Sequence, residues 1–254
     1  MARSRETSAK QVERWCHYGA QIAWHAAAHG VRGRAARARC TLDEPACAKN
    51  FAVRGYRHHV LGHDTPACCR EHLLDVLDDV VARLARTGWT WFVFWGGFLG
   101  SARRGDLVPW DRDLDLVVVD VPFGDLVEVL APLATQAGRH LRPRGPTTPH
   151  LVRVQASRAN AVGVDVELWR RCGDVLVADD PEIAVRPALE RVLPLVDRPL
   201  AGRSLPMPRA LGLLDDLYGP AWSRRGVRVE QRFGRRVVDL TPNPTPAPLA
   251  LPTP

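Results

Sequence analysis

The sequence has no run of apolar residues approaching the roughly 20 that cross a bilayer as a helix. Its opening stretch, MARSRETSAKQVERW, lacks the apolar core of a secretory signal. No membrane span is therefore expected, and the expected location is cytoplasmic. In that setting the 6 cysteines argue against a disulfide framework and for metal ligation. Positive charge is present but not gathered: the formal charge is +7 and the pI about 9.5, yet the arginines are spread along the chain. Nucleic acid is not the expected partner, whereas a nucleotide or phosphate ligand suits the same field. With 254 residues the chain can bury a full core, as one domain or one domain with a small appendage. The oligomeric state is not legible.

What the sequence does have is concentrated in Trp89 to Val119. Trp89 to Trp95 is an aromatic, apolar run that reads as a buried strand and stops at Gly96 and Gly97. Phe98 to Arg104 then reads as one or two helical turns. A glycine pair before a helix N-terminus lets backbone N–H groups approach an anion, so Gly96, Gly97, Gly100 and Ser101 are candidate phosphate contacts, with Arg103 and Arg104 as charged helpers. Asp111, Asp113 and Asp115 follow at a spacing of two. On a strand they share one face, with Leu114, Leu116 and Val118 on the other. Carboxylates so close repel one another and raise their pKa values unless a cation neutralises them. Oxygen-only ligands suit Mg²⁺ or Mn²⁺. A merely solvated edge strand explains neither the glycines nor the apolar flanks.

The run GGFLGSARRGDLVPWDRDLD resembles the signature of the LicD/fukutin family: a Gly-rich turn, a Leu-Gly pair, an Arg, a Gly-Asp and then Pro-Trp-Asp-x-Asp-x-Asp. LLDDLYGPAW is similar to the family as well, which carries the resemblance over roughly residues 40 to 225. The resemblance implies an α+β fold with a nucleotidyltransferase-like mixed sheet flanked by helices. It also implies transfer of a phosphorylated alcohol, such as phosphocholine or ribitol phosphate, from a CDP-linked donor to a hydroxyl of a glycan or glycolipid acceptor. Mg²⁺ would be held by Asp113, Asp115 and either Asp111 or a third acid on another strand.

That third acid is sought in AVGVDVELW, residues 161 to 169, where Asp165 and Glu167 share one face and Val164, Val166 and Leu168 the other. Acids in an apolar strand are costly unless paired or metal-bound. Glu167 is preferred, because family members carry an acid, an apolar residue and an aromatic, as in Glu167, Leu168 and Trp169; Asp165 is the competitor.

Upstream, residues 5 to 29 read as an amphipathic helix, and Gly30 to Pro66 as irregular, Arg-rich text. Cys40, Cys47, Cys68 and Cys69, spaced C-x6-C-x20-C-C, fit a structural zinc in a region too polar to build its own core. His58, His59 and His63 are competing ligands, and reduced, buried thiols are the plain alternative. Fukutin-related proteins, which the chain resembles, have a zinc loop of similar spacing ahead of the catalytic motif. Thr65 and Pro66 look like the cap and first residue of a helix that closes at Gly88. Phe123 to Ala137 reads as a further helix, Leu151 to Gln155 as a strand, 179 to 205 as strands and turns, and Pro208 to Tyr218 as a helix. The expected organisation is thus an N-terminal helix and zinc loop over 1–66, a catalytic domain over 67–239 and a Pro-rich tail over 240–254. Two other functions compete: a nucleotidyltransferase acting on a small molecule or RNA, and a non-catalytic, zinc-stabilised binding module.

Overall fold

The structure, a computed structural model, describes residues 67–108, 111, 113–144, 149–157, 162–223, 225–232 and 235–242. The expected helix over 5–29, Cys40 and Cys47, the three competing histidines, Thr65, Pro66 and the tail beyond residue 242 lie outside the described residues.

Helix α1, Ala67–Leu84, repeats Leu73, Val76, Leu77, Val80 and Leu84 on one stripe, and all five are fully buried. Its end is fixed by Thr87, whose hydroxyl donates to the Leu84 carbonyl at 2.8 Å, and by Gly88 in the left-handed region. Strand β1, Trp91–Phe94, is buried throughout and passes straight into helix α2, Trp95–Arg104. The helix therefore starts three residues before the expected Phe98, and the glycine pair lies inside its first turn rather than in a loop ahead of it. Strand β2 is Asp113–Val119. Asp111 is not on it: its N–H donates to the Val108 carbonyl in the turn that leads into the strand.

The expected helix over 123–137 is two helices, α3 Phe123–Leu130 and α4 Pro132–Gln136, because Pro132 has no N–H with which to continue the first. Strands β3 His140–Arg144, β4 Leu151–Gln155, β5 Gly163–Cys172 and β6 Val175–Ala178 complete a six-stranded sheet in the order β1-β2-β5-β4-β3, with β6 pairing β5 beyond the end of β4. β2 and β5 are parallel and the other pairs antiparallel, so the sheet is mixed. The Arg- and Pro-rich text around β3 concealed a strand, since Pro143 is tolerated at a sheet edge. A short helix, α5 Leu189–Val192, a hairpin of β7 Val196–Leu200 and β8 Arg203–Met207, and helix α6 Leu213–Tyr218 follow. A second hairpin pairs β9 Arg225–Arg232 with β10 Arg235–Pro242 and so runs past the expected start of the tail at residue 240.

The two faces of the sheet differ in chemistry. One presents Val93, Leu114, Leu116, Val118, Val152, Val154, Val164, Val166 and Leu168, which are buried in one core with the stripe of α1 and with Leu126 and Leu130 of α3. Burying a Val or Leu stabilises by roughly 1.5–3 kcal/mol, which fixes the register; a slip of one residue would turn this face to solvent. The alternate residues then have no choice of face. Across β1, β2, β5, β4 and β3 the second face reads Phe94, Asp115, Asp165, Arg153, Arg142, with Val117, Glu167 and Leu151 in the row above.

Candidate active site

The acids of β2 and β5 meet because the parallel register sets Asp115 beside Asp165 and Asp113 beside Gly163. Five carboxylates act on one another here. Burial pushes the Asp115 carboxyl well above its ordinary value, and repulsion from Glu167, Asp113, Asp165 and Asp111 adds to it. Asp165, 8 % exposed, is raised to about 6, first by burial and then by Asp113, against the opposing pull of Arg153 and Arg144. Glu167, equally buried, is raised to about 7, again first by burial. Asp111, although off the strand, belongs to the group: its carboxylate fills the space where a Cβ on Gly96 would stand.

The two acids of β5 are held by different chemistry. Asp165 accepts from Arg153 Nη1 at 2.7 Å, and the same guanidinium lies 3.3 Å and 3.4 Å from Asp113 Oδ2. Burial works to lower the Arg153 pKa; Asp165 and Asp113 outweigh it and leave the value raised, so this cation is permanent. Among the described residues Glu167 accepts only from neutral indole donors. Trp169 Nε1 is 2.9 Å from Oε2, and Trp95 Nε1 is 3.2 Å from both oxygens. Trp95 opens α2 with φ at 43°, a conformation that costs a bulky residue roughly 1–3 kcal/mol. Its ring is kept in place by Phe94 at 4.9 Å and Trp169 at 6.4 Å between centroids, so the strained turn and the grip on Glu167 are one feature.

The expected phosphate contacts separate. Gly96 sits in the first turn of α2 against Asp111, at a helix N-terminus whose cap residue, Phe94, offers no side-chain hydrogen bond. Gly97 is small for another reason: a Cβ would strike Val93 and Leu114 in the core. Gly100 packs its Cα against the backbone of Asp106 and Val108, and Ser101 beside it is buried with no hydrogen-bond partner on its hydroxyl among the described residues. Arg103 and Arg104 stand in the last turn, about 12 Å along the axis from the helix start at 1.5 Å per residue. Of these residues the structure thus sets Gly96 against an acid of the group, with Gly97 beside it in the same turn, and places Arg103 and Arg104 at the other end of the helix. Arg103 is itself buried, and its pKa is lowered by burial and by Arg104, with no carboxylate of the cluster acting on it.

Sequence reasoning missed Arg153, Trp95 and Trp169 as partners of the acids. A signal existed for the first: in LVRVQ the alternation that buries Val152 and Val154 in the core puts Arg153 on the other face. Cys68 and Cys69 stand in the first turn of α1, and the rest of the expected zinc set lies outside the described residues.

A divalent cation fits this donor set. Every ligating atom on offer is oxygen, Asp165 Oδ1 is buried with no hydrogen-bond partner among the described residues, and three acids are driven toward their protonated forms, first by burial and then by one another's charge. Among the described residues no group of three or more acids, histidines or cysteines is arranged, as it stands, to hold a metal ion.

Residues 88–210 match the LicD/FKTN/FKRP nucleotidyltransferase domain. The chain is 28% identical over 220 residues to a mouse ribitol 5-phosphate transferase FKRP, covering 84% of this chain and 41% of that protein. It is 29% identical over 195 residues to the human protein of the same name, covering 74% and 36%. It thus spans less than half the length of these relatives. A crystal structure of ANT(2")-Ia with adenylyl-2"-tobramycin aligns at 16% identity over 58% of this chain and 75% of that one, with a TM-score of 0.40, a likeness too weak to argue from. The domain match takes in β1 through β8 and every acid described above, so residues 88–210 carry a LicD/FKTN/FKRP nucleotidyltransferase domain.

Proposed function

We propose that the chain transfers a phosphorylated alcohol from a CDP-linked donor to a hydroxyl of a glycan or glycolipid and releases CMP, with ribitol phosphate as the first donor to test. The observation that carries this reading is the convergence of Asp111, Asp113, Asp115, Asp165 and Glu167 beside Gly96, in a domain of the LicD family. The names of the two FKRP relatives supply the alcohol.

Asp115, Glu167 and Asp111, with Asp113, would hold Mg²⁺ or Mn²⁺. When bound, the ion supplies charge neutralisation for the donor diphosphate and the leaving CMP. Around it the chain's own groups do the positioning. Trp95 and Trp169 hold the Glu167 carboxylate in one orientation through their indole N–H groups. The first turn of α2, beside Asp111, would present backbone N–H donors to a diphosphate oxygen. The acceptor oxygen bonds to the phosphorus that carries the alcohol, the bond from that phosphorus to CMP breaks, and the hydroxyl proton passes to a carboxylate of the cluster. Structural zinc at Cys40, Cys47, Cys68 and Cys69 remains part of the proposal, as a support for the chain entering α1.

The test is to incubate the full chain and Mg²⁺ with CDP-ribitol, CDP-glycerol and CDP-choline, and separately with labelled ATP and CTP, and to follow CMP release by mass spectrometry. CMP from one CDP-alcohol supports the reading. Consumption of ATP or CTP alone overturns it in favour of nucleotidyl transfer, and no Mg²⁺-dependent binding of any of them in favour of a non-catalytic module.

A further inference from the structure

The five acids are divided by the cations they can reach. Asp113 and Asp165 share the Arg153 guanidinium, which crosses from β4 and touches a carboxylate on each of two neighbouring strands. Asp115 and Glu167 make no ion pair among the described residues: Glu167 has indole donors, and Asp115 feels the Arg153 charge without touching it, while the four other carboxylates repel it. Two-ion sites hold their ions about 3.5–4 Å apart, and a second cation added to this group of acids would find its oxygen ligands between Asp113 and Asp165. Here a side chain occupies it, only 7 % exposed and fixed by the register of β4 against β5. Moving it aside would leave a buried guanidinium without a counter-charge, which is strongly unfavourable.

We propose that Arg153 stands in for a second divalent cation, so that the site binds a single ion on the Asp115–Glu167 side while the guanidinium neutralises Asp113 and Asp165. This rests on the metal-dependent reading above and sets the number of ions at one. Arg153 is on this account a positioning and charge-compensating residue, and the donor diphosphate lies between the ion and the guanidinium.

The experiment is a Mn²⁺ titration of the full chain followed by electron paramagnetic resonance, with the count at the acidic site taken as the difference from the Asp115→Asn variant. The expected result is one ion per chain for the wild type, one for Arg153→Lys and two for Arg153→Gln. Two ions on the wild type would overturn the inference while leaving the metal reading standing, as would an unchanged single ion at unchanged affinity in a folded Arg153→Gln. No ion on the wild type overturns both. If Arg153→Gln does not fold, the wild-type stoichiometry decides alone.

Discussion

Asp111 and Gly96 are fitted to one another: the carboxylate of the first lies where a side chain on the second would be. The contact ties the turn ahead of β2 to the first turn of α2, and a negative charge is favourable at that end of a helix. Gly96→Ala must therefore displace Asp111 without touching the core. The expected outcome is a folded protein whose CMP release falls by roughly 100-fold, the scale of an ångström-sized misplacement of reacting groups. Circular dichroism alongside turnover separates the two effects, and wild-type turnover would show that Asp111 has no part in the site.

Gly97→Ala and Gly100→Ala should behave in the opposite way. The new methyl group at 97 meets Val93 and Leu114, both buried, and that at 100 meets the backbone carbonyl of Asp106, which has little room to yield. Overpacking of this kind costs about 1–3 kcal/mol. Urea denaturation should show the loss at both positions, larger at 100, while the surviving folded fraction of Gly97→Ala keeps its turnover. Loss of turnover at unchanged stability would restore Gly97 to a phosphate-contacting role.

These two glycines also show what the sequence could and could not disclose. A Gly-Gly pair after an apolar run has the same spelling whether it serves a ligand or a crowded helix–sheet junction, and only the positions of Val93 and Leu114 decide. The strands with clean alternation, Asp113 to Val119 and the segment through Asp165 and Glu167, were legible because burying their valines leaves the acids a single face. β3 was not, since an edge strand needs neither continuous apolar residues nor every N–H. Arg153 was legible as a residue but not as a partner: which strand lies beside which is set by tertiary packing, and the order β2-β5-β4 brings it to the acids across 40 residues of chain from Asp113.

The raised carboxyls make metal-free stability fall with pH. Burial holds the Glu167 carboxyl at about 7 against an ordinary 4.5, and the Asp165 carboxyl at about 6 against 3.8. Between those values the folded protein keeps protons that the unfolded chain releases, so the contribution is complete below the lower value and is lost as pH rises through the upper one. In a chelator, the melting temperature should decline from about pH 5 to about pH 8. Mg²⁺ should raise it more at the alkaline end, because the ion competes with those protons. A chelated protein whose melting temperature rises over that window would contradict the burial of these acids.

Asp115→Asn removes one negative charge from the group and keeps its shape. Asp115 is flanked by four other carboxylates, and burial already disfavours its ionised form. The substitution should stabilise the chelated protein at neutral pH, as relief of a raised carboxyl requires, and abolish CMP release together with the Mg²⁺-dependent rise in melting temperature. Asp113→Asn should abolish CMP release too, but it strips Arg153 of a partner and so should not stabilise. A stabilised, fully active Asp115→Asn would remove the metal role from the centre of the proposal.

Trp169 tests whether the indoles are what allow Glu167 to ionise at all. Both donors favour the carboxylate over the carboxylic acid, and they oppose the burial that raises it. Trp169→Phe keeps a ring against Phe94, now 5.5 Å away between centroids, but deletes the N–H at 2.9 Å from Oε2. Glu167 should then release its proton at a higher pH than about 7. The pH at which Mn²⁺ binding reaches half its maximum should move up in step, with a stability loss of about 1–3 kcal/mol from the lost bond and the smaller ring. Trp95→Phe should move it less, since its N–H stands 3.2 Å from both oxygens, and it also frees a strained turn to relax. If Trp169→Phe loses stability and the binding midpoint does not move, Trp169 merely fills space, and Glu167 has no part in holding the ion.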